Sequence, residues 1–211
     1  MKKYYSDIMK PIRPFDPKKT PRPNFDLAID GDSFRKLRSL DIEIGCGVGL
    51  HPIRYCQENK DRNLVAIEQT KTKYEKFIKR LERHPVLHNL FPIQADAINW
   101  ISHFVSSHQV DRYFLLYPNP YPKASQKNLR WANRPFMKFL IETLKPDGHI
   151  VFRTNLADYA EETKETLTSY WKLNLASEFT ISSSSVPWTH FEKKYLLRGQ
   201  KCFHLEFSKN S

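Results

Sequence analysis

The run Glu43-Ile44-Gly45-Cys46-Gly47-Val48-Gly49 constrains the fold of this chain more than any other stretch. It follows an apolar alternation, Leu40-Asp41-Ile42-Glu43-Ile44, that reads as a short strand, and helix-like spacing begins at Leu50. A strand that enters a helix through glycines at alternate positions must turn tightly, without Cβ atoms to block a ligand. Amides at the start of the helix favour a negative ligand group such as a carboxylate. A tight strand-to-helix connection alone would also explain the glycines. Two details narrow the choice. The spacing is Gly-x-Gly-x-Gly rather than Gly-x-Gly-x-x-Gly, and a second strand-like run, Leu64-Val65-Ala66-Ile67, ends on Glu68. A carboxylate there can accept both hydroxyls of a ribose.

Strands and helices alternate beyond this point. Leu64 to Glu68, Phe91 to Ala95, Arg112 to Tyr117 and His149 to Arg153 read as strands. Helical stretches run from Leu50 to Asn59, Lys71 to His84, Ala97 to Phe104, Pro135 to Leu144 and Leu156 to Tyr170, with a turn at Lys145-Pro146-Asp147-Gly148. A strand near Leu173 to Ile181 and a last one from Lys201 to Ser208 follow; the alternation of the last suits a half-buried antiparallel edge. A further short helix is expected from Phe34 to Leu40. The pattern implies an α/β, doubly wound, mostly parallel sheet of seven strands with an antiparallel last strand and helices on both faces. Residues 25–211 are expected to form one domain. Residues 1–24, with five prolines among seven Lys and Arg, form an extended arm that either packs along the domain or clamps a phosphate backbone.

In such a sheet ligands sit beyond the carboxyl ends of the strands. Glu43, Gly45, Glu68, Asp96, Asn119 and Thr154 lie at or just after strand ends, so they should converge on one cleft. Asp96-Ala97 is placed either to cap the next helix or to accept the amino hydrogens of an adenine. Pro118-Asn119-Pro120-Tyr121-Pro122-Lys123 fixes a rigid turn that can hold the Asn119 side chain at a reacting centre. No acidic residue lies between Tyr113 and Ile141, while Lys123, Lys127, Arg130, Arg134 and Lys138 interleave with Tyr117, Tyr121 and Trp131. That mixture suits stacking and phosphate contact on RNA, or is an ordinary cationic loop. The cationic face of the 71–84 helix reads as solvated. Thr189-His190-Phe191-Glu192 matches a helix-start box.

The net charge of +11 points to a polyanionic partner. Cys46, Cys56 and Cys202 form neither metal-like pairs nor a disulfide framework. No apolar run reaches the length of a membrane span, and residues 1–7 lead into no apolar core of a secretory signal. A cytoplasmic protein without a membrane partner is expected.

The glycine turn with Glu68 resembles the donor site of S-adenosylmethionine-dependent methyltransferases. From about Leu40 onward the chain resembles the bacterial tRNA (guanine-N7)-methyltransferases in Glu43–Gly49, Glu68, Asp96-Ala97, Pro118–Lys123, Leu144–Gly148, Thr154 and Thr189–Glu192. The Pro-x-Pro-aromatic-Pro-Lys and Thr-x-aromatic-Glu segments are the more specific of these. The resemblance implies a Rossmann-like fold, with methyl transfer from S-adenosyl-L-methionine to N7 of a guanine in tRNA; a monomer or homodimer is expected. It places Glu43, Gly45, Gly47, Gly49, Glu68, Asp96, Ala97 and Asn119 at the cofactor, with Asn119 also at the reacting centre. Lys123, Asn155, Thr189, His190, Phe191 and Glu192 would meet the guanosine. The family pattern has Pro-Asp-Pro-Trp where this chain has Pro118-Asn119-Pro120-Tyr121, and Thr-Asp where it has Thr154-Asn155; two carboxylates are thus neutral here. Ser125–Arg130 replaces the family's Arg-His-x-Lys-Arg-Arg cluster. Asn119-Pro120-Tyr121 is also similar to the Asn-Pro-Pro-Tyr loop of exocyclic-amine methyltransferases, and a non-catalytic RNA-binding relative is a third reading.

Overall fold

A computed structural model describes residues 14–23 and 37–210. Seven strands, β1 (Asp41–Ile44), β2 (Leu64–Glu68), β3 (Leu90–Gln94), β4 (Val110–Leu116), β5 (Leu144–Thr154), β6 (Asn174–Ile181) and β7 (Cys202–Ser208), form one sheet in the order β3-β2-β1-β4-β5-β7-β6. The first five pair in parallel, and β7 runs antiparallel to both β5 and β6. The intervening helices are α1 (Leu50–Glu58), α2 (Lys71–Leu81), α3 (Ala97–Phe104), α4 (Phe136–Thr143), α5 (Ala157–Glu165) and α6 (His190–Leu197).

Leu64–Ile67 of β2, Tyr113–Leu116 of β4 and Ile150–Phe152 of β5 are apolar on both faces because both faces are covered. Leu64, Ala66, Phe114, Leu116 and Val151 pack with Ile53, Cys56 and Phe77 of α1 and α2. Their strand neighbours Val65, Ile67, Tyr113, Leu115, Ile150 and Phe152 pack on the opposite face with Trp100, Phe104, Met137, Leu140 and Tyr159 of α3, α4 and α5. The two-residue period of a strand thus sorts side chains between two cores. The strand order reverses direction at β1, which opens a crevice above the carboxyl ends of β1 and β4.

Several elements differ from the sequence expectation. Lys145-Pro146-Asp147-Gly148 lies inside β5, where pairing with β4 jumps from Val110↔Leu144 to Arg112↔His149. The extra residues loop out, with Asp147 at φ 58, so turn chemistry serves as a bulge. The last strand is not at the edge; β6 is, and β7 sits between β5 and β6. Alternation reports which face of a strand is buried, not how many strands flank it. Leu37–Leu40 is not helical, and the remainder of that expected helix lies outside the described residues. Of the amino-terminal arm, residues 14–23 pack along the domain. Phe15 meets Phe136 edge-on at 5.1 Å, and Nε2 of His103 contacts the Thr20 carbonyl at 2.9 Å. The rest of the arm and its expected boundary at residues 24–25 lie outside the described residues.

Gly49 caps α1 in the left-handed region, at φ 79. A Cβ there would fall 2.0 Å from Cδ2 of Phe77, whereas one on Gly45, at φ 76, would meet nothing within 4 Å. Gly45→Ala is therefore expected to cost only left-handed backbone strain, about 1–2 kcal/mol. Gly49→Ala adds overpacking for a total of about 2–5 kcal/mol. Urea midpoints of the two variants check this, and equal midpoints would contradict it.

Candidate active site

The crevice is a cleft of about 850 Å³ whose walls come from the ends of β1, β2, β3, β4 and β5 and from the start of α6. Glu43, Gly45, Gly47, Glu68, Asp96, Ala97, Asn119, Asn155, Thr189, His190 and Phe191 all line it. Residues far apart in the chain meet there because parallel strands end on the same side of the sheet.

One end of the cleft is acidic. Glu68, 5% exposed, closes β2, and its carboxylate accepts the amides of Gly47 (2.9 Å) and Thr70 (2.8 Å). Two amide donors fix the carboxylate in place, and it retains lone pairs for further donors. Glu43 is buried and takes the Nδ1 hydrogen of His51 at 2.7 Å. Asp96 caps α3 by accepting Asn99 N at 3.0 Å through Oδ1. A cap and a cleft-wall carboxylate are thus the same residue. Gly49 is not on the wall, since Phe77 occupies the space beside it.

The other end is built on the turn after β4. Tyr117 and Tyr121 flank it at φ 52 and 44, strained values for residues with side chains. Asn119 closes the turn internally, its Oδ1 accepting Tyr121 N at 3.1 Å. Arg130 straps the turn from behind. Its Nε donates to the Pro120 carbonyl at 2.7 Å, Nη2 donates to the Tyr121 carbonyl at 3.2 Å, and Nη1 pairs with Glu162. An arginine expected on RNA is therefore a brace for the site. Lys123 is exposed and off the wall, at the cap of a 3₁₀ turn spanning Ala124–Leu129.

Glu192 is also placed differently from the expectation that it meets a ligand. It is fully buried, and it pairs with Nη1 of Arg153 through Oε1 (3.0 Å) and Oε2 (3.1 Å). The same carboxylate accepts Trp188 N (3.0 Å) and Tyr117 Oη (3.0 Å). Thr189 caps α6 by accepting Glu192 N at 3.0 Å, so the helix-start box is real, with Trp188 rather than Thr189 as the reciprocal donor. The Arg153 guanidinium lies 3.3 Å from the Trp188 ring centroid, and its Nε donates to Nδ1 of His204 at 3.0 Å. Burial, and then the Arg153 charge, push His204 down to about 4, which keeps its ring a neutral acceptor at pH 7. Trp188 stacks in turn on His51, ring centroids 4.9 Å apart, so packing runs from Glu43 to the Tyr117 turn. Sequence reasoning missed His51, Arg153, Trp188 and the role of Arg130. Their signals are long-range pairings, and the buried Arg153 within an apolar strand was the only local hint.

A family model described as "Putative methyltransferase" matches residues 38–205. The chain belongs to this methyltransferase family. Among its relatives, the tRNA (guanine-N7)-methyltransferase of Nitrosomonas eutropha is 30% identical over 183 residues, which cover 86% of this chain and 81% of that one. The enzyme of the same name from Nitrosospira multiformis is 29% identical over 185 residues, covering 87% and 79%. The solved structure of the 16S rRNA methyltransferase KamB superposes with a TM-score of 0.63 at 16% identity, over 90% of this chain and 96% of the other. That likeness confirms the Rossmann-like methyltransferase fold.

Removing the Glu192 carboxylate would leave Arg153 buried without its counter-charge. Glu192→Ala is expected to cost about 3–5 kcal/mol, the usual penalty for breaking a buried pair. Chemical denaturation checks this. A loss below about 1 kcal/mol would show that the pair does not hold the site together.

Proposed function

We propose that this protein transfers a methyl group from S-adenosylmethionine to N7 of a guanine in tRNA. The carrying observation is that one cleft joins the Gly45–Gly47 turn, Glu68 and Asp96 to the Pro118–Tyr121 turn, giving a donor end and an acceptor end in contact. The names of the two relatives above supply the substrate.

The donor end fits S-adenosylmethionine. Gly45 and Gly47 leave open space where a Cβ would stand, and Glu68 sits on the wall with its carboxylate already oriented. Glu68 would accept the ribose hydroxyls, and Asp96 the adenine amino group. When bound, the sulfonium supplies an electrophilic methyl group. Glu43, Glu68 and Asp96 set an acidic wall around that cation.

Guanine N7 carries an in-plane lone pair, so the chain need not supply a base. Its task is orientation, which can remove several kcal/mol from a barrier. Tyr121 and Phe191 on the wall can stack on the purine plane, while the braced turn fixes the reacting edge. The purine gains positive charge during transfer. Asn119 and Asn155 answer it with amide dipoles where the family pattern has carboxylates, so this site relies more on orientation. Transfer to an exocyclic amine would need the Asn119 and Pro120 carbonyls as acceptors for the amine hydrogens. Each already accepts one protein donor, Tyr121 N and Arg130 Nε respectively, and keeps a second lone pair, so the identity of the methylated atom separates the two readings. No helix among the described residues is long and apolar enough to cross a membrane. Under this reading the protein works in the cytoplasm, where its tRNA substrate is.

Two measurements test this reading. Label from methyl-labelled S-adenosylmethionine should appear in acid-precipitated unmodified tRNA; label absent from tRNA, with the protein folded and the donor bound, would refute it. Glu68→Ala should weaken donor binding by about 1–3 kcal/mol, since the ribose hydroxyls lose their acceptor. Calorimetry on the folded variant checks that, and unchanged affinity would remove the assignment.

A further inference from the structure

The cations of the acid-free segment are largely engaged within the protein. Lys127 and Arg130 meet Glu162, Lys138 meets Glu142 at 3.9 Å, and Arg134 lies over the Trp131 ring while donating to the Leu129 carbonyl. A phosphate contact there would have to displace these partners.

A different cationic surface has no such partners among the described residues. Lys73, Lys76, Lys79 and Arg83, on α2 and just beyond its end, and Lys193 and Lys194 on α6 are exposed. Among the described residues, none of the six lies within ion-pairing distance of a carboxylate. The two helices abut, because Nη2 of Arg80 in the last turn of α2 donates to Nε2 of His190 at the start of α6, at 3.0 Å. Both also reach the cleft, α2 through Lys73 and α6 through His190, Phe191 and Tyr195. Phe191 is 49% exposed and stacks on Tyr195 with ring centroids 6.3 Å apart. Unpaired like charges repel one another, and a polyanion laid across them removes that cost. Exposed rings beside such a charge track are what an unstacked base requires.

We propose that the joined outer faces of α2 and α6 carry the phosphate backbone of the tRNA, with Phe191 at the cleft mouth receiving a base. The proposal rests on the tRNA reading above and locates its footprint. The solvated-face reading of α2 assigns these lysines no partner; the seam with α6 and the shared cleft wall give them one. Burial, Arg80 and Lys193 lower the His190 pKa, so its ring is neutral at pH 7 and can accept the Arg80 hydrogen that closes the seam.

The test combines Lys76→Ala, Lys79→Ala, Lys193→Ala and Lys194→Ala, none of which lines the cleft. Binding of an unmodified tRNA transcript is measured across a salt series, and S-adenosylmethionine binding by calorimetry. The variant should bind tRNA roughly tenfold or more weakly, with a log-log salt slope shallower by about three units, at about 0.7–0.9 per lost contact. Donor affinity should be unchanged. Lys127→Ala with Lys138→Ala should shift the slope by less than about one unit. If wild type binds tRNA and the fourfold variant keeps both affinity and slope, the surface assignment falls and the tRNA reading stands. If wild type binds no tRNA, both fall. Wild-type binding to phosphatidylserine vesicles that the variant loses, with tRNA binding retained, would overturn the proposal in favour of a membrane surface.

Discussion

The buried pair between Arg153 and Glu192 is the interaction on which the part of the cleft built around the turn after β4 depends. Arg153 comes from β5, which the sheet buries on both faces, so its charge has little access to water. Glu192 answers that charge and takes donors from Trp188 and Tyr117 as well. One carboxylate therefore fixes the start of α6 and the strained turn after β4 relative to the sheet. His204 completes the shell as a neutral acceptor for the remaining guanidinium edge. A buried pair adds little net stability over an apolar alternative, but it is costly to break once built. Its contribution here is geometric, as a latch between elements 39 residues apart.

Charge is divided by depth. Glu43, Glu68 and Asp96 line the inner cleft, whereas lysines dominate the outer faces of α2 and α6. An acidic inner wall and a basic outer surface thus lie at different depths of one cleft. The net charge of +11 describes only the outer part of this arrangement. The stretch Tyr113 to Ile141, within the longest acid-free run of the sequence, is not the most available positive charge in space. Glu162, 32 residues from Arg130, neutralises its centre.

The cleft wall that joins Gly45, Gly47, Glu68 and Asp96 was legible because its signals are local. A strand, alternate glycines and an acidic residue closing the next strand fall within one βαβ unit, and the topology then brings Asp96 beside them. The acceptor turn was legible as rigid from Pro118, Pro120 and Pro122, although its brace at Arg130 was not. Gly49 belongs to the same motif as Gly45 and Gly47 yet serves packing, since a repeat of residue type does not reveal which neighbour occupies the space. Glu192 illustrates the same limit. Its motif marks the start of α6 correctly, but the spacing cannot show whether the carboxylate turns toward the cleft or toward a buried arginine. Strand order beyond β5 was likewise hidden, because alternation in β7 is compatible with an edge or an interior place.

If methyl transfer occurs at N7 of guanine, orientation rather than a lost or gained proton is the source of rate. The most direct measurement incubates the protein with an unmodified tRNA transcript and S-adenosylmethionine, digests the RNA to nucleosides and identifies the methylated species by mass spectrometry. The expected result is 7-methylguanosine as the sole new nucleoside. A methyl group on an exocyclic amine, or no methylated nucleoside from folded protein that binds the donor, would contradict it.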